Sequence, residues 1–100
     1  MLDQLTVIAH LVARPDKIED TKAFLMSLIE RTRAEEGCVD YHLHQSQEDP
    51  ANFAFYENWT NRAALDEHME TPYLQELIAR KDEFFKVDPD IRLLTMISPR

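Results

Sequence analysis

Residues 53–68 bring an acid, an indole and an imidazole close together in the chain: Phe53-Ala-Phe-Tyr-Glu57-Asn-Trp59, a Thr60-Asn61 break, then Arg62-Ala-Ala-Leu-Asp-Glu-His68. The first part alternates like a strand, which puts Phe55, Glu57 and Trp59 on one face. The second has helical spacing and turns Ala64, Leu65 and His68 to one side. Packed against each other, the two faces would enclose an apolar pocket with a few polar groups, the usual form of a small-molecule site. His68 is the base candidate, since an imidazole titrates near ~6.5, close to working pH. Trp59 can stack on a flat ring or donate its indole N–H. Glu57 needs a partner under a helix; orienting His68 and pairing with Arg62 or Arg92 are both open. His68, Trp59 and Glu57 are therefore the catalytic candidates, with Phe55, Leu65, Tyr73 and His44 as candidate substrate contacts.

Each has a structural alternative. His68 can be a buried histidine held by Glu57 or backbone, Trp59 a large core residue, and Phe53 and Phe55 simple core. The strand that carries Tyr41, His42 and His44 has apolar and polar residues on both faces, so alternation leaves open which side meets the helices. His44 lines the pocket on one choice, and on the other sits at the surface or a dimer interface. Cys38 reads as a small buried hydrophobe. No Ser-His-Asp arrangement or nucleotide-binding loop is visible, and a chain with one glycine cannot build a glycine-rich one.

The elements that must position these groups follow from patterning. Residues 5–13 make a Val/Ile/Leu-rich strand with apolar residues on both faces. Pro15-Asp16-Lys17-Ile18-Glu19 opens a helix in which Asp16 and Glu19 are spaced as a capping box. Ile18, Phe24, Leu25, Leu28, Ile29 and Thr32 give its buried side. It is expected to run to Glu36 and stop at Gly37 in a left-handed conformation. Residues 38–47 and 53–59 form a hairpin around Glu48-Asp49-Pro50-Ala51-Asn52. Two helical pieces follow, broken at Glu70-Thr71 because Pro72 suits a first turn and not an interior. Leu74, Leu77, Ile78 and Phe85 mark the second piece, and residues 91–98 the last strand.

The order βαββαβ predicts an α+β, ferredoxin-like domain over residues 1–100, a four-stranded antiparallel sheet with both helices on one face. Ile8, Val12, Leu94 and Met96 then leave the other face too apolar for water, and a homodimer with two sheets face to face resolves this.

Composition sets the outer limits. One hundred residues with 44% hydrophobic and 30% charged side chains suit one globular domain. A net charge of -8 argues against nucleic acid and anionic membranes as partners. The single cysteine excludes an intramolecular disulfide, and the four histidines lack metal-ligand spacing, so no metal is expected. No apolar run reaches the ~18 residues of a membrane span, and no signal peptide is visible. A cytoplasmic location is the expectation.

The chain resembles the antibiotic biosynthesis monooxygenase family of dimeric α/β-barrel proteins. The resemblance covers nearly the whole chain. It rests on Leu5-Thr-Val-Ile-Ala with Arg14-Pro15, on Glu35-Glu36-Gly37-Cys38 with Tyr41, on Phe55-Tyr-Glu-Asn-Trp59, and on Ala64-Leu65 with His68 and Thr71-Pro72-Tyr73. It implies a ligand cavity between sheet and helices, a tryptophan at Trp59 lining it, and oxygenase members that need no flavin, haem or metal. Haem-degrading relatives place an asparagine and a histidine where Ala9 and Ile78 stand here, which argues against that activity. The expected function is cofactor-independent oxidation of a small aromatic quinol or anthrone by dioxygen. Two alternatives are isomerisation of a small phosphorylated carbonyl compound and non-catalytic, stress-associated binding of a hydrophobic metabolite by a dimer.

Overall fold

The computed structural model describes residues 4–99; residues 1–3 and 100 of the expected 1–100 domain lie outside the described residues. Strands β1 (Leu5–Val12), β2 (Cys38–Gln45), β3 (Asn52–Trp59) and β4 (Asp90–Leu94) form one antiparallel sheet in the order β2-β3-β1-β4. Helices α1 (Ile18–Ser27) and α2 (Ile29–Arg33) connect β1 to β2, and α3 (Arg62–Met69), α4 (Pro72–Ala79) and α5 (Lys81–Phe84) connect β3 to β4. This is the ferredoxin-like α+β arrangement, with β3 and β1 as interior strands and β2 and β4 as edges. Among the described residues no helix is long and apolar enough to cross a membrane.

Registers decide the faces. Tyr41 lies opposite Glu57, and Glu57 opposite Val7, which lies opposite Leu93. The next inward row is Leu43, Phe55, Ala9 and Ile91. These rows meet the helices, and Val7, Ala9, Leu11, Tyr41, Phe53, Phe55 and Trp59 form the core with Leu25, Leu28, Leu65, Phe84 and Phe85. The outer face carries Ile8, Tyr56 and Leu94, each well exposed. It also holds a partly buried polar knot centred on Asn58: Thr6 Oγ1 donates to Asn58 Oδ1, and Asn58 Nδ2 donates to Asp40 Oδ2 and the Tyr56 hydroxyl, both at 2.9 Å.

Four local expectations change. The first helix begins at Ile18 behind Lys17, with no side-chain cap, so Asp16 and Glu19 do not form a capping box. It also divides at Leu28, whose N–H bonds back to the Leu25 carbonyl, a tighter turn than the α-helical spacing. Gly37 does not adopt a positive φ. Its missing side chain answers a different demand: a Cβ there would overlap the Ala64 Cβ, where the start of β2 presses on α3. The last strand ends at Leu94 rather than near Ser98, where its pairing with β1 stops at Thr6. The break before Pro72 is present, with Thr71 accepting from the Leu74 N–H and Pro72 in the first turn.

Candidate active site

Strand β3 and helix α3 meet as the sequence pattern requires. Asn61 caps α3 by accepting from the Ala64 N–H at 2.9 Å, which fixes the helix immediately after the strand. Leu65 and His68 then face the sheet and are buried. The Trp59 and His68 rings lie 4.5 Å apart between centroids, tilted by 37°. Tyr41 meets the imidazole edge-on at 5.5 Å.

Between the sheet and helices α3 to α5 lies a cavity of about 260 Å³. Its floor is Val7, Ala9, Tyr41, Phe55 and Glu57, and its roof includes Leu65, His68, Leu74 and Leu77. The charged groups Arg62, Asp66 and Lys81 also border it. Arg62 pairs with Asp66 at 3.1 Å and Lys81 with Asp88 at 3.2 Å, all four at the solvent-exposed rim. The interior is therefore apolar, with Glu57 and His68 as its buried polar groups.

The partner of His68 is Glu35, at the end of the α2 turn. Its Oε2 stands 2.8 Å from Nδ1 of His68 and accepts the Tyr73 hydroxyl at 2.5 Å. An ionised carboxylate has only lone pairs to offer, so Nδ1 carries the proton and donates. Nε2 is then left as the basic nitrogen, and it has no hydrogen bond to a described residue. Burial pulls the His68 pKa below 6.5, and the Glu35 carboxylate opposes this in part. The ring is thus a neutral base at neutral pH.

Glu57 has a different partner from those expected. Trp59 Nε1 donates to Glu57 Oε1 at 2.9 Å, and Glu57 makes no ion pair with Arg62, Arg92 or His68. Removal from water pushes its pKa from 4.5 up to about 7, with the indole N–H pulling down and the Glu35 charge adding to the rise. Glu57 therefore changes between acid and carboxylate close to neutrality.

The remaining candidates divide. Phe55 and Leu65 stand in the cavity wall beside Glu57 and His68. Trp59 is fully buried and supports the wall from behind, through its contacts to Glu57 and His68, rather than facing the cavity itself. Tyr73 does not line the cavity; it reaches the site through Glu35 and through its ring, which lies 6.4 Å from that of His68. His44 lies across from Ala54 on the outer face of the sheet, exposed and away from the cavity, because the register turns Tyr41 and Leu43 inward. No group of three or more potential metal ligands exists among the described residues. Sequence spacing missed Glu35 because it is 33 positions from His68. The only signal was its place in Glu35-Glu36-Gly37-Cys38, the stretch that Gly37 brings against Ala64.

The family model described as antibiotic biosynthesis monooxygenase matches residues 4–80. A Mycobacterium tuberculosis protein named "Putative monooxygenase Rv0793" is 38% identical over 73 residues, 73% of this chain and 71% of that protein. An uncharacterized Synechocystis protein, sll1783, is 33% identical over 91 residues; the match takes in 91% of this chain and only 62% of that protein's length. The crystal structure of PA3566 from Pseudomonas aeruginosa superposes with a TM-score of 0.92 at 31% identity, covering 98% of each chain. With residues 4–80, most of its length, matched by the family model, this chain belongs to the antibiotic biosynthesis monooxygenase family.

Proposed function

We propose that this chain is a cofactor-independent monooxygenase that oxidises a small aromatic quinol or anthrone with dioxygen. The observation that carries the reading is the Glu35–His68 pair, which presents an unprotonated Nε2 at the wall of an apolar cavity. Nε2 takes the phenolic proton of the substrate, and the Glu35 carboxylate stabilises the imidazolium that forms. The resulting anion is electron-rich and passes one electron to dioxygen; the two radicals join in a carbon–oxygen bond. The peroxide takes the proton back from His68 and breaks down. For an anthrone CH2 group the balance is CH2 plus O2 giving C=O plus water, with all the electrons from the substrate. Apolar walls keep bulk water from the intermediate.

Size supports a small substrate. A cavity of about 150 Å³ accepts one benzene ring, so 260 Å³ favours the quinol half of the proposal, with a fused pair of rings, over the three rings of an anthrone. The phosphorylated-carbonyl alternative has less support, since the cations on the border, Arg62 and Lys81, stand at its exposed rim and the interior beside His68 and Glu57 holds none. A homodimer through the outer sheet face is part of the proposal, supported by the exposed Ile8, Tyr56 and Leu94 there. So is a cytoplasmic location, on composition. Sedimentation at micromolar concentration is expected to give twice the chain mass.

The test is oxygen uptake by metal-free protein with naphthohydroquinones and anthrones. Wild type should consume oxygen, and His68→Ala should lose about 10²- to 10⁴-fold, the usual worth of a general base. Binding that raises the melting temperature without uptake by wild type would refute oxygenation and favour a non-catalytic binding protein.

A further inference from the structure

The cavity has a polar end and an apolar mouth, and the strand order sets the distance between them. Glu57 lies on interior strand β3, and Leu93 on edge strand β4, with Val7 of β1 between them in the same row. Two interstrand spacings separate the two rows of side chains, roughly 10 Å. His68 overhangs the β3 end from α3, and Ile78 of α4 borders the cavity with Ile91 and Leu93. Those three are 42%, 50% and 41% exposed although they border the cavity, so it opens to solvent on this side as well as beside the exposed Arg62–Asp66 pair of α3. Pro89 continues the same border.

An opening meant only for a compact polar ring would gain from polar side chains at its lip. Arg62, Asp66 and Lys81 supply such groups on one part of the border, but the part formed by α4 and the edge strand presents only branched aliphatic side chains, continuous with the cavity interior. The area has no role in the core, and it lies on the helix side of the sheet, away from the outer face that carries Ile8 and Tyr56. Roughly 10 Å of depth is used by a fused ring held at Glu57 and His68, so a substituent on the far ring edge must emerge between Ile78, Ile91 and Leu93.

We propose that the ligand is an aromatic ring system bearing an aliphatic tail, with the ring held at Glu57 and His68 and the tail laid on the apolar lip formed by Ile78, Ile91 and Leu93. This rests on the same cavity as the oxygenase reading but does not need its chemistry. The lip selects alkylated over bare rings because each methylene moved from water onto it is favoured.

The test uses 2-alkyl-1,4-naphthoquinones of increasing chain length, which are already oxidised and cannot turn over. Quenching of Trp59, the chain's single tryptophan, reports binding. The Kd should fall about twofold to fourfold per methylene over the first few carbons, the upper figure being full burial of a CH2 group, and level off once the tail passes the lip. Ile91→Asn and Leu93→Asn should each flatten the slope of log Kd against chain length; both side chains are half-exposed on an edge strand, so the fold survives. Met26→Asn, an exposed apolar residue on α1, should leave the slope as in wild type. A slope of zero in wild type overturns the proposal, as does a slope equally lowered by Met26→Asn. A zero slope together with a halved mass for Leu93→Asn would assign the lip to a second copy of the chain instead. Oxygen uptake with bare naphthohydroquinones and no slope would refute the lip and keep the oxygenase. A slope without uptake would do the reverse.

Discussion

Replacing Glu57 by glutamine should make the protein more stable at pH 8 and leave it nearly unchanged at pH 5. The carboxyl is buried, bonded to the Trp59 indole and without a cation, and its pKa rises from 4.5 to about 7. The folded form therefore holds its proton more tightly than the unfolded chain. The stability this contributes is complete below about 4.5 and is lost as pH rises through about 7, the reverse of an ion-paired carboxylate. Converted at 1.36 kcal/mol per pH unit, the gap between 4.5 and 7 is about 3 kcal/mol. Glutamine has the same shape, carries no charge, and its amide oxygen can still accept the indole N–H. Wild type should thus lose about 3 kcal/mol between pH 5 and 8 from this site, while Glu57→Gln loses none of it. Near neutrality that corresponds to a melting difference on the order of 10 °C for a domain this size. Urea denaturation from pH 5 to 9 at fixed protein concentration measures it. Parallel curves with a constant offset, or a Glu57→Gln protein less stable than wild type at pH 8, would refute the argument that desolvation governs this carboxyl.

Glu35→Gln should keep the fold but cut quinol oxidation by about 10²-fold or more, because an amide can donate to Nδ1 and leave Nε2 as the protonated nitrogen; circular dichroism with initial rates checks both halves. The acid limb of the wild-type rate against pH should fall below 6.5, since His68 is pulled down from that value, and a limb above 7 would contradict it. Gly37→Ala should cost roughly 1–3 kcal/mol by overpacking against Ala64, and Gly37→Ala with Ala64→Gly should recover most of it in a denaturation series. Asn58→Ala should lose about 1–3 kcal/mol, because Thr6, Asp40 and Tyr56 lose their shared partner.

Much of the architecture was legible because local and global preferences agree. Alternation places Phe55, Glu57 and Trp59 together, Pro72 breaks the second helical region, and the order of elements leads to the sheet. The misreadings have a common physical origin in tertiary contact. The helical stripe runs through Leu28 without interruption, so nothing in it signals the break into α1 and α2. Gly37 was assigned to backbone conformation, whereas the close approach of Ala64 is what excludes a side chain. His68 and Glu57 are legible as polar groups under a helix, but their partners are not: Trp59 bonds to Glu57 along the same strand face, and Glu35 lies in the turn that follows α2. His44 depended on a strand face that only pairing with β3 decides.

The order of strands in the sheet has a consequence for how such a protein can diversify. The acid and the base belong to the middle of the molecule, one on β3 and one on the helix that follows it, and both are locked by neighbours on several elements. The proposed lip instead draws Ile91 and Leu93 from the boundary strand β4, where both are half-exposed and an exchange of residue disturbs few others. Substitutions at that border can therefore reshape the rim of the cavity while the Glu57 and His68 contacts at its far end stay as they are.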